Sequence, residues 1–257
     1  MGYLRSRRWL MITAASFSVL TFTTAATAVD FPPPPPGQGG PSRTAGGGVR
    51  AGEGCVAKGS TITPIAVVAP VNNIVTTVAE SPALYVYLPR NTAPALELAI
   101  FGPGGSEYYR QLEIPAPISA AMAAGPTLLK ILPENLELEP DQLYEWSFSL
   151  LCDPDDPAGY IEGVDSTVRR LAVNSSLASA LAGATSSLAK AEAYAAAGIW
   201  SETAALALDL RAERPEEWQQ LVRSTIDPTM AQDVATVNLQ DLFHAPLQTL
   251  TLELEAR

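Results

Sequence analysis

The chain has 257 residues, with 27 acids against 16 lysines and arginines, a net charge of −11, two cysteines and one histidine. That balance makes nucleic acid and anionic membrane surfaces poor partners. A lone histidine, His244, leaves no Cys/His or Ser/His/Asp constellation to build, so no catalytic residue and no cofactor is assigned.

Residues 1–28 read as a secretory signal peptide. Arg5, Arg7 and Arg8 precede an uncharged, largely apolar run from Trp9 to Thr24, and Ala26-Thr27-Ala28 offers the small residues that a signal peptidase requires, with cleavage expected before Val29. An uncleaved anchor is the alternative, disfavoured because Thr and Ser interrupt the run. No cysteine stands at the cut to carry a lipid. Removing three arginines and no acid takes the net charge from −11 to −14, and the product is expected outside the cytoplasm, periplasmic or secreted, without a transmembrane anchor.

Residues 29–54 hold five consecutive prolines, Pro32 to Pro36, and then a Gly-rich run dotted with Arg43 and Arg50. Such a composition cannot bury enough apolar area to offset its ordering entropy and predicts a stiff, then flexible, linker. No Gly-Lys-Ser/Thr closes the glycine run, which argues against a phosphate cradle.

Residues 55–172 change to short runs rich in β-branched and aromatic residues, broken by Pro, Gly, Asn and Asp. Strands are expected near 61–68, 74–78, 84–88, 96–101, 108–114, 127–132, 143–152 and 160–171. Together they predict an antiparallel all-β sandwich of immunoglobulin-like or fibronectin-like build. The strongest is Leu143 to Cys152, where Tyr144, Trp146, Phe148 and Leu150 alternate with Glu145, Ser147 and Ser149, so the aromatic face is assigned to the core. The approach Leu138 to Tyr144 resembles the corner of fibronectin-type domains at which a tyrosine anchors the chain. Cys55 and Cys152, in an exported chain, are read as one disulfide.

Residues 173–226 switch to Ala- and Leu-rich helical spacing and predict three helices forming a short appendage. The first ends at Gly198, Ser201 caps the second, and Pro215 opens the third, followed by Glu216 and Glu217 where the helix dipole favours acids. Tyr194, Gly198 and Pro215 keep the spacing of one tetratricopeptide unit. Ser187 and Thr203 depart from that pattern and no second copy is present, so the hairpin is expected to pack on the sandwich, since such repeats need about three units for stability. Tyr194 and Trp200 are retained as candidate binding residues. Residues 227–257 are a tail or, from the alternation of Leu250, Leu252 and Leu254, an edge strand.

Two further constellations bear on function. Asp153, Asp155 and Asp156 form the densest acidic cluster and are the candidate ligands for a hard cation such as calcium, although a solvated turn is the simpler reading. Tyr85, Tyr87, Tyr108 and Tyr109 could supply an aromatic strip for sugar stacking if their rings are exposed.

The chain resembles, over nearly its full mature length, an exported, uncharacterised bacterial family of domains of unknown function, numbered nine hundred and twenty-eight. The resemblance rests on Gly40-Pro-Ser-Arg, Gly46-Gly-Gly-Val-Arg and Cys55; Ile62 to Pro70; Glu80 to Pro89; Leu143 to Pro154; and Ala196-Ala-Gly-Ile-Trp. It implies no activity. The reading is an exported non-catalytic binding or assembly protein whose partner is an unknown protein or an envelope polysaccharide. A carbohydrate-binding module or carbohydrate-active enzyme, and a calcium-stabilised envelope structural protein, are the alternatives.

Overall fold

The computed structural model describes residues 28–33, 45–46, 55, 65–155, 161–225 and 239–257. In chain order its elements are β1 (Ala45–Gly46), β2 (Ala66–Val67), β3 (Ile74–Thr77), β4 (Leu84–Leu88), β5 (Ala95–Phe101), β6 (Glu107–Glu113), α1 (Ala116–Ala124), β7 (Thr127–Glu134), β8 (Leu143–Leu151) and β9 (Ile161–Arg170). There follow α2 (Ser175–Gly183), α3 (Ser187–Ala196), α4 (Trp200–Leu210), α5 (Pro215–Thr225), α6 (Leu239–His244), β10 (Leu247–Glu253) and β11 (Glu255–Ala256). The signal peptide and nearly all of the Pro/Gly-rich linker lie outside the described residues.

One sheet runs β1-β9-β8-β5-β6-β11, with β3 also pairing with β9; the other runs β10-β7-β4-β2. Strand β8 follows its sequence: Tyr144, Trp146, Phe148 and Leu150 are buried, and Leu143 and Glu145 are exposed on the opposite face. Its start is pinned by the tyrosine corner, where the Glu139 N–H donates to Tyr144 Oη at 3.1 Å. The antiparallel expectation is corrected. β3 pairs with β9 in parallel, and β10 pairs with β7 in parallel over seven residues, from Leu247 opposite Leu128 to Glu253 opposite Glu134. Parallel neighbours require a long crossover, and between β7 and β10 that crossover carries β8, β9 and helices α2 to α6.

The helices are not an appendage. Strand β4 is buried on both faces, which requires something apolar on each side. Trp200, Ala204 and Leu208 of α4, Trp218, Leu221 and Val222 of α5, and Leu242 and Phe243 of α6 belong to the same core cluster as the strands. The reason is area: α4 and α5 present apolar stripes, and the tyrosine face of β4 is the surface that accepts them. Trp200 is fully buried, donates through Nε1 to Val68 O at 3.2 Å, and meets Phe31 edge-on at 5.3 Å. Its backbone N–H donates to Thr76 Oγ1 at 2.9 Å, and that hydroxyl donates to Gly198 O at 2.6 Å.

Local helix signals fared unevenly. Gly198 does end α3 in the left-handed region, at φ 70°, and Pro215 does open α5. The first expected helix is two, α2 and α3, because Ser186 accepts the Ala189 N–H and starts a new helix after Ala184. Ser201 is no cap. It lies inside α4, where its hydroxyl donates to Ala83 O at 3.1 Å. Helices α1 and α6 were not expected.

The disulfide joins Cys55 to Cys152 with Cα atoms 5.3 Å apart, tying residue 55 to the residue that follows β8. Closing a loop of about 100 residues removes roughly 4.7 kcal/mol of unfolded-state entropy in the chain model, an upper figure. Cys152→Ser is expected to lower unfolding stability by a few kcal/mol, read as a shift of the denaturant midpoint. Trp200→Ala is expected to cost about 3–5 kcal/mol, more than a surface substitution on α2, in the same measurement.

Candidate functional site

Strands β8, β5 and β6 send alternate residues outward, away from the shared core. Cross-strand register places Phe101 of β5 directly between Glu145 of β8 and Glu107 of β6. Leu143, two residues before Glu145 on the same face, is the diagonal neighbour of Phe101, a spacing of roughly 7–8 Å in an antiparallel pair. Phe101 and Leu143 are each 45% exposed. Arg169, opposite Leu143 on β9, reaches Asp141 at 3.7 Å. The outcome is an apolar pair flanked by carboxylates on an open sheet face.

The turn after Phe101 keeps that ring outward. Gly102 donates its N–H to Ser106 O at 2.8 Å, and a Cβ on Gly102 would lie 2.7 Å from the Tyr144 ring, so only glycine fits between strand end and corner. Gly104 and Gly105 then take φ of 78° and 86°, which reverses the chain into β6.

Along the same face the Tyr109 hydroxyl donates to Glu97 Oε2 at 2.7 Å, and the Arg257 guanidinium sits 3.7 Å from the ring centroid. Burial pushes this phenol above its ordinary value, and the Glu97 hydrogen bond and charge push the same way against Arg257. With its hydroxyl bonded and one ring face taken by a cation, Tyr109 is a fixed element of the sheet.

The four tyrosines do not form a strip. Tyr108 faces inward and packs against the core, and Tyr85 and Tyr87 are buried under the helices. Burial raises the Tyr85 phenol strongly, with Asp209 and Glu202 adding, and pushes Tyr87 up to about 12, with Asp241 adding. Neither hydroxyl has a hydrogen-bond partner among the described residues. Of the acidic cluster, Asp153 and Asp155 lie on an exposed turn in which the Asp155 N–H donates to Asp153 Oδ1 at 3.1 Å, and Asp156 lies outside the described residues. Among the described residues no group of three or more His, Cys, Asp or Glu is placed to hold a metal. Tyr194 is half-buried, its phenol raised by burial and then by Glu202. Trp200 packs in the core, out of reach of a ligand.

Two acids that the sequence did not distinguish prove to be structural centres. Glu202 Oε1 accepts from Thr77 Oγ1 at 2.8 Å and from the Val78 and Ala79 N–H groups at 3.0 and 3.2 Å. Glu217 is buried in the first turn of α5. No local spacing separates these two from the exposed acids beside them, Glu216 above all.

A family model described as Domain of Unknown Function (DUF928) matches residues 43–234. No curated protein matches the chain. Among solved structures, the fn3 domain of human collagen alpha-1(XX) chain is similar at 14% identity and a TM-score of 0.24, over 46% of this chain and 91% of that one.

Unfolded tyrosines ionise near pH 10, whereas Tyr85 and Tyr87 are held neutral to higher pH in the folded chain. Their stabilisation is therefore complete below about pH 10 and is lost as pH rises through 10 toward the folded values. Denaturant melts from pH 7 to 11 should show that fall, and Tyr87→Phe should keep its pH 7 stability while making the fall shallower.

Proposed function

We propose that this chain, which belongs to the family described as Domain of Unknown Function (DUF928), is an exported protein that binds a partner without catalysing a reaction. The observation that carries this reading is the Phe101–Leu143 pair. Two large apolar side chains stand 45% exposed and adjacent on a rigid sheet face, against Val173 as the one other large hydrophobic so exposed among the described residues. Exposed apolar anchors with a charged rim are how protein interfaces are built. The rim here is Glu145 and Glu107 beside Phe101, with Glu107 3.9 Å from Arg257 and with Arg169 opposite Leu143, so the complementary partner is a protein surface with an apolar pocket edged by charges of both signs.

Export is supported by the leader pattern of residues 1–28 and by the disulfide, which persists in oxidising compartments. Among the described residues no helix is long and apolar enough to cross a membrane. The scaffold reading is a sandwich of immunoglobulin-like or fibronectin-like kind, modified by the helical layer. Two sheets on one core and the Tyr144 corner support it.

The test is capture from envelope extract by the exported chain, compared with a Phe101→Ser/Leu143→Ser double variant and a Val173→Ser control. The expected result is a protein retained by the parent and the control and lost, about tenfold or more, by the double variant with its melting temperature unchanged. Equal capture by all three, or retention of a polysaccharide alone, would remove this face as the site.

A further inference from the structure

Residues 28–33 lie against the helical layer. Phe31 packs on Trp200 and donates its N–H to Ser224 Oγ at 3.3 Å. Val29 is 1% exposed, and its backbone nitrogen donates to Glu217 Oε2 at 2.8 Å, a buried bond between residues 188 apart. Glu217 is itself 1% exposed, and its other oxygen meets Arg214 at 3.7 Å, from a guanidinium side chain 36% exposed. A carboxylate taken out of water is costly unless a close cation and full hydrogen bonding replace the lost hydration. Among the described residues one neutral amide and one long ion pair are thin replacement, and the helix N-terminus adds only a modest share. The short contact, the one at 2.8 Å, is to the Val29 nitrogen.

That nitrogen is also where the leader pattern ends. Ala26-Thr27-Ala28 stands immediately before it, so a sequence signal for cleavage and a buried anion in the core meet at one atom. We propose that removal of the leader turns the Val29 nitrogen into an α-ammonium, which forms a buried ion pair with Glu217 and locks the N-terminal segment onto α4 and α5. The inference rests on reading residues 1–28 as a cleaved export signal. In the hydrolysis, one water is consumed: its hydroxyl goes to the Ala28 carbonyl carbon, the C–N bond breaks, and the protons end on the nitrogen, leaving an Ala28 carboxylate and a Val29 ammonium at neutral pH. The single amide donor becomes three donors carrying a charge, which is the compensation that Glu217 otherwise lacks. Processing thereby strengthens a contact that the uncut chain already makes: the segment is docked before cleavage and is held by a charged pair after it.

The experiment takes the full chain through export and sequences the N-terminus of the product. The α-amine is then acylated with an amine-reactive ester in the folded and the denatured states, with the lysines as internal reference. The expected product begins at Val29, its α-amine reacts about tenfold or more slowly when folded, and Glu217→Gln abolishes that protection while lysine labelling stays as in the parent. A product whose cleavage site is shifted to retain Ala28 should melt several degrees lower than the parent, which keeps the test independent of whether the Glu217 variant folds. A product beginning elsewhere, or uncut, overturns both the leader reading and the ion pair. A product beginning at Val29 whose amine reacts as fast folded as unfolded, with no cost from retaining Ala28, overturns the ion pair alone.

Discussion

The structure turns on Trp200. Its ring is fully buried, its indole N–H is spent on Val68 O, its backbone N–H on the Thr76 hydroxyl, and its ring faces Phe31. Those contacts join four separate stretches of chain: the N-terminal segment, the loop after β2, strand β3 and the start of α4. Removing an aromatic of that size would leave a cavity and would strand the Val68 carbonyl that its indole N–H satisfies. The helical layer is therefore part of the core that the sheets define.

Charge reinforces the same seam. Glu202 gathers a hydroxyl and two backbone N–H groups from residues 77–79, at the end of the pairing of β3 with β9. Glu217 takes the Val29 nitrogen. Each carboxylate sits in the first turn of its helix, where the dipole favours a negative charge. The polar contacts thus fasten strand ends and the entering chain to α4 and α5, while apolar burial supplies the bulk of the cohesion. The open face of the seven-stranded sheet has the reverse character: its acids line a surface, and among the described residues no such helix covers its two exposed apolar side chains.

Much of the β architecture was legible because period-two alternation is a strong local signal. Leu143 to Leu150 announced both its strand and its buried face, while the alternation of Leu250, Leu252 and Leu254 left open the choice between a tail and the edge strand that β10 proves to be. The disulfide followed from two cysteines in a chain that looked exported, and Gly198 and Pro215 marked a helix end and a helix start by backbone stereochemistry alone. What failed was direction and grouping. Nothing local says that β10 returns beside β7 in parallel, or that an Ala-rich stretch breaks at 184–186 because a serine caps a second helix. Of the candidate site, the outward position of Glu145 could be read from alternation, but its neighbour Phe101 could not, because the β5–β8 register is a property of the paired strands.

The sequence by itself determined the leader-like pattern of residues 1–28, the strand-rich middle, the run of helices that follows it and the pairing of its two cysteines, since each depends on composition, period or count. Tertiary structure decided which tyrosines are buried, which of many acids are interior, and which apolar residues remain uncovered. Tyr87 and Tyr109 sit on similar strands, and Glu216 and Glu217 are adjacent in one helix, yet one of each pair is enclosed and the other is not. Burial depends on what packs against a face, and that partner comes from more than a hundred residues away, beyond the reach of any local pattern: α4 lies over β4, and Val29 meets Glu217.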